Sequence, residues 1–256
     1  MTLEFRSSDG LAIRYYAWGS GDALPPVFLH HGFIADAHLN WVDPGIVTAL
    51  VARGRRVYAL DARGHGASDK PHDPARYGEE AMARDLRGLI DLSGAEHAHL
   101  VGYSMGAVVS LLAAAEDKRV TRLVVGGVGA GVVEVGGVDT RVVPSAGIEE
   151  AFRADDPATL PAGAAGFRAF ADAVGADRLA LAAHARVLYT GPLPLDRISA
   201  PTLVLAGADD PLAARPEVLA AAVAGAALRV LPGDHLAVMR HPDFAAAVAD
   251  FLTPAD

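Results

Sequence analysis

The chain has 256 residues, of which 52% are hydrophobic and 21% charged, with a formal net charge of −9 and no cysteine. That length and apolar fraction fit one sizeable α/β domain of about 250 residues. The lack of cysteine excludes thiolate nucleophiles, thiolate metal sites and disulfide scaffolds, and an acidic chain without a basic stripe speaks against a nucleic-acid partner.

The N-terminal run Met1-Thr2-Leu3-Glu4-Phe5-Arg6 lacks the positive-then-apolar order of a secretory signal. The most apolar later stretch, Leu123 to Val138, is broken by glycines and Glu134 and is short of the ~20 residues that span a bilayer. A cytoplasmic location without a membrane partner is therefore expected.

Leu3–Arg6 and Leu11–Trp18 alternate around Ser8-Asp9-Gly10, a β-hairpin pattern. Val27–His30 is a short apolar strand closed by His31-Gly32-Phe33, and Asn40–Arg53 carries helical spacing. Arg56–Leu60 is the next strand, followed by the loop Asp61–Asp69 and a helix over Glu79–Leu92. His99–Tyr103 reads as a strand entering a small-residue helix, and Val120–Val125 as the strand after that. Beyond Ser199 the alternation resumes, with strands at Thr202–Ala206 and Ala227–Leu231 and helices at Pro216–Val223 and Pro242–Leu252. Short apolar strands alternating with helices imply a mostly parallel sheet covered on both faces.

Between residues 130 and 197 the strand rhythm stops. Pro144, Pro157 and Pro161 divide alanine-rich helical runs at Ile148–Arg153, Phe167–Val174 and Asp177–Leu188. Residues 130–197 are read as a helical cap inserted after the sixth strand, with 1–129 and 198–256 as the core. Gly127-Val128-Gly129-Ala130-Gly131 has the wrong spacing for a dinucleotide fingerprint and is read as a flexible exit into the cap.

The chemistry centres on Gly102-Tyr103-Ser104-Met105-Gly106. An apolar strand, this pentapeptide and an immediate helix form the pattern of a nucleophile elbow, with the serine exposed on a strained turn. Side chains at Gly102 or Gly106 would press on the neighbouring helix or strand. A serine nucleophile needs a base, and the base an orienting acid. His235 follows the last strand in Leu231-Pro232-Gly233-Asp234-His235. Asp210 follows the preceding strand and is favoured over its neighbour Asp209 on motif spacing. Backbone amides of Met105 and of Phe33, in the loop after Val27–His30, would form the oxyanion hole. His38, Trp41 and Tyr103 are candidate substrate contacts. His30 and His31 are adjacent on a strand and so point opposite ways, which argues against a joint metal site; no metal is expected.

Taken together, the motifs make the chain resemble the α/β-hydrolase fold proteins of the capped, lipase/esterase-like group. They are His31-Gly32-Phe33, Asp61-x-Arg63-Gly64-His65-Gly66-x-Ser68, Gly102–Gly106, Gly207-x-x-Asp210 and Gly233-x-His235, all in family order. The resemblance implies an eight-stranded sheet, a Ser104–Asp210–His235 triad and no cofactor. It also implies that the loop at 61–69 is structural. Ser104-Met105-Gly106 further resembles the cofactor-free haloperoxidase/perhydrolase branch. Serine rather than aspartate at 104 departs from epoxide hydrolases and haloalkane dehalogenases. His30-His31-Gly32 departs from the His-Gly-Gly-Gly loop of some lipases.

The functional expectation is a serine hydrolase, carboxylesterase-like, acting as monomer or homodimer on a small-molecule acyl substrate. An uncharged ester, lactone or thioester of small to medium size suits a short cap with few charge clamps. The alternatives are an acyltransferase or perhydrolase using the same triad, or a catalytically quiet ligand-binding protein of the same fold.

Overall fold

Eight strands in the order β1-β2-β4-β3-β5-β6-β7-β8 form the single sheet of the computed structural model, which describes residues 2–142 and 145–253. The hairpin strands β1 (Thr2–Arg6) and β2 (Ala12–Trp18) are antiparallel, as is the pairing of β2 with β4 (Val57–Leu60). From β4 through β3 (Val27–His30), β5 (Ala98–Tyr103), β6 (Val120–Gly126), β7 (Thr202–Gly207) and β8 (Ala227–Leu231), every pairing is parallel. This is the mostly parallel sheet that the strand rhythm implies, with the eight strands that the family resemblance implies.

The central strands β3, β5 and β7 are buried along their whole length, as apolar runs rather than alternating ones must be when helices cover both faces. On one face, α2 (Glu79–Ser93), α3 (Met105–Glu116) and α8 (Pro216–Ala222) pack through Leu86, Leu89, Leu111 and Leu219. On the other, α1 (Ile46–Ala52) and α9 (Pro242–Leu252) pack through Leu50, Val248 and Leu252.

Two local readings change. The periodic stretch 40–53 is not one helix: a wide π-helical turn, His38–Val42, is separated from α1 by Asp43-Pro44-Gly45. Proline removes a backbone donor there, and Gly45 takes a left-handed φ of 80°. The glycines at 127–131 are not an open hinge. A Cβ on Gly127 would lie 2.7 Å from the Tyr103 ring and 3.0 Å from that of His235, and one on Gly129 would strike the Ala213 and Ala214 carbonyls.

Between β6 and β7 the chain forms α4 (Ala130–Glu134), α5 (Ser145–Arg153), α6 (Ala162–Ala173) and α7 (Arg178–Ala185). Pro144 lies outside the described residues. The helix expected to begin at Phe167 begins five residues sooner, directly after Pro161, because glycines at 163 and 166 hide its apolar period. The insertion has its own small core of Ile148, Phe152, Ala171 and Leu181, which meets the sheet domain at Ile34. Among the described residues no helix is long and apolar enough to cross a membrane.

Candidate active site

Ser104 occupies the turn between β5 and α3 with φ 54° and ψ −117°. A non-glycine residue at positive φ is strained and persists only where its surroundings hold it. Here the Ser104 amide donates to the Gly126 carbonyl at 2.8 Å, and the Ser104 carbonyl accepts from Ala107 at 2.9 Å. The glycines on either side are sterically required. A Cβ on Gly102 would run into the Gly106 carbonyl, and one on Gly106 into the carbonyls of His30 and His31.

Asp210 and His235 stand at the ends of β7 and β8. The Asp210 carboxylate is fully buried, and its Oδ2 lies 2.8 Å from His235 Nδ1. Its Oδ1 accepts the Leu212 amide at 2.9 Å, so both oxygens are engaged. Asp209 is exposed, and Asp234 turns away to accept the amides of Leu236 and Ala237. Ser104 and His235 line one cavity without a hydrogen bond between them in this structure. Hydrogen bonds of this kind commonly tighten only when substrate is bound.

Neither the Phe33 nor the Met105 amide donates to a protein acceptor among the described residues. The loop bearing Phe33 is fixed from several sides. Gly32 donates its amide to Asn40 Oδ1 at 2.8 Å, and Ala37 donates to Asp61 Oδ1 at 3.0 Å. Ala62 donates its amide to His31 Nε2 at 2.8 Å, which places the imidazole proton on Nδ1, 2.7 Å from the Gly32 carbonyl. Burial lowers the pKa of His31, in keeping with this neutral tautomer. Ile34, next along, is held at φ 70°, a rare geometry for a β-branched side chain.

The cavity measures about 410 Å³, at the lower end of the range of roughly 300–1,000 Å³ for small-ligand pockets. Its walls are chiefly apolar, contributed by Phe33, Ile34 and Met105 below and by Ile148, Phe167 and Phe170 of the insertion above. No lysine or arginine lines it among the described residues; Asp139 does, and Arg141 grips that carboxylate at 2.6 and 2.8 Å.

Of the three residues expected to touch substrate, Tyr103 lines the cavity, but His38 and Trp41 do not. The π-helical turn points them elsewhere. His38 sits edge-on to the Tyr16 ring at 4.7 Å, and Trp41 is fully buried in the α1/α9 core. Asn40, between them, is the residue turned to the site, and its single position in the sequence carries no mark of that role.

The loop at 61–69 lies outside the cavity and ties elements together. Asp61 accepts the Tyr16 hydroxyl and the Ala67 amide, while Ser68 donates to the Asp61 carbonyl at 2.6 Å. Arg63 is buried and grips Asp85 with two bonds of 2.8 Å. Beneath Phe33, four fully buried histidines cluster: His30, His31, His65 and His184. Burial pushes the pKa values of His30 and His184 down to about 3.

A family model described as the α/β-hydrolase fold matches residues 25–130. A hydrolase from Pseudomonas aeruginosa PA01 superimposes with a TM-score of 0.79 over 98% of both chains, at 29% identity. The chain belongs to the α/β-hydrolase superfamily. Among curated relatives, a non-heme chloroperoxidase from Streptomyces lividans is 40% identical over 123 residues, which is 46% of this chain and 41% of that one. An sn-1-specific diacylglycerol lipase from Mus musculus is 44% identical over 110 residues, 41% of this chain and 33% of the lipase. The matched segments span less than half the length of either curated relative. The α/β-hydrolase fold thus places Ser104 where β5 meets α3, at the carboxyl edge where open α/β sheets bind their ligands.

Proposed function

We propose that the protein is a serine hydrolase that cleaves a small to medium uncharged carboxylic ester, lactone or thioester through an acyl-enzyme on Ser104. The observation that carries this reading is a buried Asp210 carboxylate 2.8 Å from the half-buried His235, whose ring lines the same cavity as a strained serine. Asp210 on Nδ1 keeps the proton there and leaves Nε2 free to take the Ser104 hydroxyl proton. Ser104 Oγ then attacks the acyl carbonyl, and the oxyanion settles between the Phe33 and Met105 amides at the positive end of α3. The imidazolium passes its proton to the leaving group. Water, deprotonated by the same nitrogen, next releases the acid and restores the serine.

The helical segment 130–197 acts as the cap of this site. A cavity without lysine or arginine among its described lining residues gives an anionic acyl group no partner, which supports uncharged substrates. The test is intact mass after incubation with a fluorophosphonate, followed by peptide mapping. One adduct on Ser104, absent in Ser104→Ala and His235→Ala, supports the reading; Ser104→Ala that keeps near wild-type ester turnover overturns it.

The likeness to the chloroperoxidase over 123 residues favours a second reading, in which hydrogen peroxide replaces water and the acyl-enzyme is released as a peracid. Product analysis with added peroxide distinguishes the two.

A further inference from the structure

The helix α6 presents an unusual face to the cavity. Gly163, Gly166, Phe167 and Phe170 all line it, and their spacing of i, i+3, i+4, i+7 puts them on one stripe. An adjoining stripe is anchored: Ala164, Arg168 and Ala171 are buried, and Arg168 donates to the Ala151 and Ala154 carbonyls outside the helix. The helix therefore cannot roll to offer a different face.

A glycine inside a helix weakens it relative to alanine, and here neither glycine has a backbone reason to be present. Neither takes a positive φ, and an added Cβ meets nothing within 4 Å at either position. Both glycines are exposed, so what the missing side chains leave is open space at the edge of the cavity that Phe167, Phe170 and Ser104 also line. Gly147, on α5, likewise has open space but does not line the cavity, so it serves as an internal control.

We propose that this glycine face is the acyl subsite, that the substrate carries a straight, apolar, medium-length acyl chain, and that Gly163 and Gly166 set the length accepted. This inference rests on the serine-hydrolase reading. The chain would lie along the helix face against Phe167 and Phe170, with its carbonyl at Ser104. A branched or bulky acyl group would meet those rings. A chain ending in a carboxylate would meet Asp139 and, among the described lining residues, no lysine or arginine.

The experiment is a series of p-nitrophenyl esters (acetate, butyrate, octanoate, laurate) with wild type, Gly163→Leu, Gly166→Leu, Gly166→Ala and Gly147→Leu. Leucine is a better helix former than glycine, so these variants are expected to fold, and thermal unfolding checks it. Wild type should turn over octanoate with the highest kcat/KM. In Gly166→Leu the octanoate-to-acetate ratio should fall about thirtyfold, the effect of displacing two to three methylenes at about fourfold each. Gly163→Leu should act in the same direction, Gly166→Ala more weakly, and Gly147→Leu not at all. A folded Gly166→Leu with an unchanged ratio overturns the proposal, as does a wild type that favours acetate. In either case fluorophosphonate labelling of Ser104 shows that the hydrolase reading still stands. Failure of both labelling and ester turnover in the wild type overturns both.

Discussion

Tyr103 donates its phenolic hydroxyl to the backbone carbonyl of His235 at 2.6 Å, joining the residue before the candidate nucleophile to the loop of the candidate base. Its ring is buried beneath the His235 ring, with centroids 5.1 Å apart. Burial, reinforced by the Asp210 and Asp234 carboxylates, holds the phenol pKa well above its ordinary value, so the group remains a donor. Tyr103→Phe removes only that bond. Stability should fall by about 1 kcal/mol, and kcat by roughly tenfold as His235 loses its tether. KM should hold, and the rate of Ser104 labelling should drop in step with kcat. A variant with lowered stability but unchanged labelling would assign Tyr103 to packing alone.

Asn40 acts on the other side of the site. Its Oδ1 receives the Gly32 amide, the peptide next to the amide of Phe33 proposed as an oxyanion donor, and a Cβ on Gly32 would lie 3.3 Å from that of Ser104. Asn40→Ala leaves a buried amide without an acceptor at a cost of about 1–3 kcal/mol. Through the displaced Phe33 amide, kcat should fall by roughly tenfold to a hundredfold. Asn40→Asp retains an acceptor and should recover part of the loss. Steady-state kinetics with urea unfolding on each variant separates the two effects.

The Arg63–Asp85 pair tests whether the loop at 61–69 serves the fold or the chemistry. Both side chains are 2% exposed, and burial raises the Asp85 pKa even beside the guanidinium. Arg63→Met strands that carboxylate and should cost about 3–5 kcal/mol. Adding Asp85→Leu should restore much of it. Because the loop lies outside the cavity, kcat of the folded fraction should be unchanged in both. A loss of kcat at full folding would move Arg63 into the catalytic machinery.

The succession of strands along the chain was readable because the central strands are continuous apolar runs punctuated by glycine and proline, and those runs have no other way to be buried. Ser104, Asp210 and His235 could be placed near one another because each directly follows a strand of a parallel sheet, whose carboxyl ends share an edge. Asn40 was illegible since its position depends on a π-helical turn, and helical spacing of 3.6 misassigns everything in such a turn, including His38 and Trp41. The histidines at 65 and 184 lie 119 positions apart and meet only because α7 folds back over the loop at 61–69. Nothing local in either segment announces that contact.

Those histidines have a counterpart in Glu79, whose Oε1 lies 3.9 Å from His184 Nε2 and whose Oε2 accepts the Tyr189 amide at 2.8 Å. Burial pushes the Glu79 pKa up to about 7 and the His30 and His184 values down to about 3, so the Glu79–His184 contact is between neutral groups only below about pH 7, where Glu79 is protonated. The signs oppose. Each depressed histidine stabilises the fold above its unfolded pKa of about 6.5, and that stability is lost as the pH falls toward 3. Glu79, raised, contributes stability that is complete below about pH 4.5 and lost as the pH rises through 7. In the wild type it therefore offsets part of the acid loss between pH 7 and 4.5, by an amount on the order of 3 kcal/mol. Glu79→Gln removes the offset. Its unfolding free energy, measured in urea at stepped pH, should decline more steeply than that of the wild type between pH 7 and 4.5 and run parallel to it above pH 8. His184→Phe should flatten the decline between pH 6.5 and 3. Parallel curves for Glu79→Gln and wild type across the whole range would mean that Glu79 is ionised in the folded protein.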